Sequence, residues 1–91
     1  MYLDLGGNRV VLLDELLAIL RADLARDGPS REMVQSLRAR GKLVLLPGGP
    51  PRSLVLTVTG AYLSPVSTMS MLRRVQAWSR RREEYGFGRT S

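Results

Sequence analysis

Apolar and polar positions alternate at the start of the chain. Leu3 and Leu5 are interleaved with Tyr2 and Asp4, and "RVVLL" follows the turn signal Gly6-Gly7-Asn8, so this region predicts a β-hairpin. Farther on, Leu16, Leu17, Ile19, Leu20 and Leu24 fall near helical spacing, with Asp14 able to cap the start and Gly28-Pro29 to end it. That spacing predicts a first helix. Ser30 is placed to N-cap "REMVQSLRARGK", in which Met33, Val34 and Leu37 form an apolar stripe and Gly41 a stop. "LVLLP", 43–47, predicts a short buried strand, and Gly48 to Arg52 a loop stiffened by two prolines. "SLVLTVTGAYLSPV" predicts two strands around Thr59-Gly60, ending at Ser64-Pro65, and a last helix runs from near Ser67 to about Glu84. The expected architecture is one α+β domain over residues 1–84: a small antiparallel sheet of hairpins with two to three helices. Residues 85–91, polar and glycine-rich, are expected to form a flexible C-terminal tail.

Composition adds limits. A single domain of 91 residues buries only about 60% of its unfolded surface, a thin stability margin that self-association would relieve. With 44% hydrophobic residues and five aromatics, the core must come from Leu, Val, Ile and Met. The chain has no cysteine and no histidine, which excludes disulfides, thiolate zinc sites and the commonest general base near neutral pH. Neither Gly6-Gly7 nor Gly48-Gly49 opens a phosphate-cradling motif. Asp14-Glu15 and Glu83-Glu84 are sequence neighbours, which on a helix point about 100° apart and make no obvious acid/base or metal dyad. The expectation is a protein that is not an enzyme and takes no cofactor, metal or small-molecule substrate. The N-terminal segment lacks a signal-peptide pattern, and no apolar run reaches the roughly 18 residues of a membrane span, so a soluble, cytoplasmic protein without a membrane partner is expected.

Charge points to a partner. The net +6 is uneven: three basic against five acidic residues leave −2 over 1–29, whereas eleven against three leave +8 from Ser30 onward. "MLRRVQAWSRRR" concentrates that excess on the last helix. Taking Arg73 as zero at 100° per residue, Arg80 falls near −20°, Arg81 near 80° and Arg74 near 100°. Met71, Leu72, Val75 and Trp78 fall at about 140° to 260°, with Arg82 intruding at about 180°. One apolar and one cationic face result, and the cationic one is long enough to meet successive backbone phosphates of DNA. Charges turned outward from a small domain need bind nothing, and Arg38, Arg40 and Lys42 already have a local use in complementing a helix dipole.

Three stretches, "MYLDLGGNRVV", "RARGKLV" and "YLSPVSTMSMLRR", together resemble the RemA-like family of small bacterial regulators of extracellular-matrix genes, the last stretch looking most like the RemB branch. The similarity runs from Tyr2 to about Arg74. The resemblance implies a DNA-binding transcriptional regulator with no enzymatic activity, a small α+β fold and a homo-oligomeric ring that presents arginines to wrapped DNA. Residue by residue it carries over Arg52, Arg73 and Arg74. Where the family places its other arginines, this chain has Glu15, Gly49 and Pro50. It also implies a strand over Leu16–Leu20, so strand and helix both stand for that segment, since five consecutive apolar residues suit either.

Two functions are expected from this reading. In one, the chain regulates extracellular-matrix and biofilm genes by binding double-stranded DNA as an oligomer, with backbone contacts from Arg52, Arg73, Arg74, Arg80 and Arg81. In the other, a ring-forming structural or adaptor protein binds a protein partner, because three cations of the resembled family are missing.

Overall fold

The computed structural model describes residues 1–84, with side chains described through Trp78 apart from that of Pro29. Strands β1 (Tyr2–Asp4) and β2 (Val10–Leu12) pair antiparallel, Tyr2 opposite Leu12 and Asp4 opposite Val10. Their turn places Gly6, Gly7 and Asn8 in succession at φ +81°, +58° and +62°, a left-handed path open to glycine and tolerated by asparagine. Asp4 Oδ1 accepts the Gly6 N–H at 2.9 Å, and the Leu5 N–H reaches the Arg9 carbonyl at 2.9 Å. Alternation then buries Leu3, Leu5 and Val11 and leaves Tyr2, Asp4, Val10 and Leu12 outward, as the pattern predicts.

The first predicted helix does not form. Asp14 lies in a single 3-10 turn, Leu13–Glu15, and Leu16–Arg21 is strand β3; a second 3-10 turn covers Ala22–Ala25. β3 pairs antiparallel with β5 (Ser53–Thr57), with a bulge between Leu16 and Ala18. The reason is burial on two sides: Leu16 and Ile19 pack into one core cluster and Leu20 into another, which a strand between two layers satisfies. Gly28-Pro29 opens the next element rather than closing the previous one. Helix α1 spans Gly28–Ala39, three residues earlier than a Ser30 cap would set, with Asp27 at the N-cap position and no side-chain cap. Proline in the first turn costs no hydrogen bond. At the far end Gly41 (φ +70°) lets the Lys42 N–H reach the Leu37 carbonyl at 2.8 Å and its own N–H reach Arg38 at 3.0 Å, the paired bonds of a Schellman stop.

β4 (Leu43–Leu45) and β6 (Gly60–Ser64) complete the main sheet, in the order β3-β5-β6-β4. The β5–β6 hairpin forms around Val58-Thr59, but β4 runs parallel to β6, so the sheet is mixed rather than wholly antiparallel. β6 slots between β4 and β5 because Ala61, Tyr62 and Leu63 have apolar surroundings on both faces. β4 is left on the edge, half-buried, with Leu45 65% exposed. Gly60 permits the junction: a Cβ there would stand 2.6 Å from the Lys42 carbonyl, which accepts the Ala61 N–H at 2.8 Å.

Three layers follow. α1 covers one sheet face through Val34 and Leu37 against Leu54, Ala61 and Leu63. The β1–β2 hairpin and α2 (Thr68–Glu84) cover the other, through Leu3, Leu5, Val11 and Met71 against Val55 and Leu46. Ser64 joins hairpin to sheet. Its buried hydroxyl donates to the Leu5 carbonyl at 2.5 Å and accepts the Val66 N–H at 3.0 Å. α2 starts where expected, with the Ser67 hydroxyl accepting the Ser70 N–H at 3.2 Å. The expected tail, 85–91, lies outside the described residues.

Candidate nucleic-acid interface

Met71 is fully buried and sets the inward side of α2; Val75 packs on the same cluster and Trp78 is half-buried. Leu72, expected inward, is 44% exposed, because a step of about 100° from Met71 carries it past the covered arc. Arg73 falls on the opposite side of the helix and is exposed. Arg74, also exposed, bends toward the hairpin, where its Nη1 donates to the Asp4 carbonyl at 2.6 Å. That bond uses one of the five guanidinium N–H groups and fixes the plane of the rest. Arg80 and Arg81 continue α2, and their side chains lie outside the described residues.

Arg52 sits where the loop after β4 enters β5. Its backbone is held from both sides, its N–H donating to Ser64 at 2.7 Å and its carbonyl accepting from Ala22 at 3.1 Å, while the side chain is exposed. Ser53 pairs with Ser64, and α2 begins four residues beyond Ser64, so Arg52 and the start of α2 share one end of the main sheet. Arg38, Arg40 and Lys42 occupy the other end, beside Gly60, about 13 Å away along β6. The fold therefore brings Arg52 near the start of α2, the helix that carries Arg73 and Arg74, and separates them from the α1 cations.

Among the described residues the single ion pair is Arg21 with Asp23, at 3.3 Å and exposed. Arg52, Arg73 and Arg74 thus form no ion pair among the described residues. No protein-family model matches the chain, and no curated protein sequence is similar to it. Glu15 is half-buried at the entrance to β3, whereas Gly49 and Pro50 are exposed at the opposite end of the sheet, so only assembly could juxtapose these positions. Among the described residues no helix is long and apolar enough to cross a membrane.

One cation escaped the sequence reading. Arg9, just after the glycine turn, holds its guanidinium 5.3 Å from the centre of the Tyr62 ring. The ring's negative face attracts the cation. Its signal in the sequence is slight, since the two residues are 53 positions apart and meet only because the hairpin lies across β6.

Proposed function

We propose that this chain is a DNA-binding transcriptional regulator of bacterial extracellular-matrix and biofilm genes. It acts in the cytoplasm as a homo-oligomer, with a ring as the assembly implied by the resemblance. Arg52, Arg73, Arg74, Arg80 and Arg81 contact the DNA backbone, and shape rather than base edges supplies most of the recognition. The observation that carries this reading is that Arg52, Arg73 and Arg74 are exposed and form no ion pair among the described residues, in a chain of net charge +6. The resemblance over Tyr2–Arg74 supports the same reading.

A second reading keeps the oligomer and replaces DNA with a protein partner. Glu15, Gly49 and Pro50 favour it, each standing where the resemblance implies a DNA-contacting cation. Titration of random duplex DNA at two salt concentrations separates the two. The regulator binds tightly and salt-steeply, and replacing Arg73, Arg74, Arg80 and Arg81 with alanine lowers its salt slope by roughly 3 to 4 units. Absence of binding at about 50 mM salt selects the adaptor.

A further inference from the structure

β3 is an edge strand with little protection. Its outer side carries a row of unpaired backbone groups over six residues, Leu16–Arg21, five of them apolar and none a proline. Such edges template pairing with another extended strand unless charge, proline or a covering element blocks them. The bulge beside Leu17 lies at the strand's entrance and leaves Ala18–Arg21 regular.

The surroundings of this edge are partly apolar. Leu17 is 65% and Val58 60% exposed, and with Met33 and Leu37 they form the apolar part of a groove of ≈ 230 Å³ that meets the strand at Leu17 and is closed on its far side by Arg40 and Lys42. On the other sheet face, Leu72 leaves α2 on the flank opposite the one that reaches Asp4, and α2 packs over β3. Among the described residues no element covers the outer side of β3, and Leu17 stands exposed on it.

Charge along the strand selects its occupant. Asp14 and Glu15 stand at the entrance and Arg21 at the exit, with only apolar residues between. Antiparallel pairing of two such strands sets each acidic entrance against the other's Arg21. Parallel pairing would set acid against acid. The present partner of Arg21, Asp23, is an exposed pair of the kind worth little in water and readily exchanged. β4, the other edge of the sheet, offers only three residues and ends at Leu46-Pro47.

We propose that β3 pairs antiparallel with β3 of a second copy of this chain about a two-fold axis near Ala18, joining two sheets into one of eight strands, with Asp14–Glu15 facing the partner copy's Arg21. The inference rests on the homo-oligomer of the proposed function and names its contact. A two-fold contact closes on itself, so any larger ring needs a second surface.

Residues facing each other across antiparallel strands have Cα atoms about 4.5–5.5 Å apart, within disulfide reach. The chain has no cysteine, so a single Ala18→Cys variant reports on this axis alone. Oxidation, or a short bis-maleimide, is expected to convert the folded variant into a covalent dimer. Sedimentation of the unmodified protein is expected to give at least twice the 10.1 kDa chain mass. Arg21→Glu should weaken association roughly tenfold, and adding Asp14→Arg and Glu15→Arg should restore it. A monomer at micromolar concentration, a folded Ala18→Cys protein that does not cross-link, or association indifferent to Arg21→Glu overturns the pairing. A monomer that binds DNA salt-steeply would remove this contact and leave the DNA reading, whereas a cross-linked dimer without DNA binding would do the reverse.

Discussion

Arg38, Arg40 and Lys42 at the end of α1, and Arg52, Arg73 and Arg74 around α2, carry the same formal charge and are all exposed, yet the first trio complements a helix end, whereas in the second only Arg74 has a side-chain contact within the fold, to the Asp4 carbonyl. The α1 cations surround a helix C-terminus, where positive charge is favoured by about 0.3–1 kcal/mol each, and their backbone forms the Schellman stop. Arg73 and Arg74 stand on the second turn of a helix, toward its N-terminal end, where a cation gains nothing from the dipole. Arg52 is rooted by two backbone bonds with its side chain left outward. Equal charge therefore has unequal meaning: position relative to helix ends separates cations that complement a helix dipole from cations that do not, and the proposed function gives the latter to DNA.

Several substitutions bear on this contrast. Met71→Ala empties the fully buried anchor of α2 and should cost about 2–5 kcal/mol in urea unfolding, with a parallel fall in DNA affinity as the α2 trio loses its platform. Val34→Ala, in the α1 layer, should lower stability with an unchanged salt slope. Ser64→Ala should cost about 1–3 kcal/mol, because the buried Leu5 carbonyl loses its donor. Alanine at Arg38, Arg40 or Lys42 should lower stability by about 0.3–1 kcal/mol each, whereas alanine at Arg73 should leave it within about 0.5 kcal/mol. Smallest is Asn8→Gly, which relieves a left-handed residue and should raise stability by about 0.5 kcal/mol. A loss of stability at Arg73 as large as that at Arg38 would erase the distinction between the trios.

The elements whose pattern is local were legible in the sequence. Gly6-Gly7-Asn8 marks a turn by backbone chemistry alone, and Ser67 caps α2 through its own hydroxyl. The stretch 14–28 was not, since Leu16–Leu20 is apolar at every position and only the layers on both faces of β3 decide for a strand. Likewise Gly28-Pro29 can close one helix or open another, and it opens one because the preceding segment is extended. The parallel pairing of β4 with β6 is a matter of topology that no short window contains. For the candidate interface, helical spacing placed Arg73 outward, but the reach of Arg74 to Asp4 and of Arg9 to Tyr62 depends on where the hairpin is laid down.

The most direct test of the contrast compares two triple variants that remove equal charge, Arg52, Arg73 and Arg74 to alanine and Arg38, Arg40 and Lys42 to alanine, by the slope of log affinity for duplex DNA against log salt. The α2-side variant should lose about 2 to 3 units of slope and the α1 variant less than about one. Equal losses, or a larger loss from the α1 variant, would contradict the assignment of DNA contact to Arg52, Arg73 and Arg74.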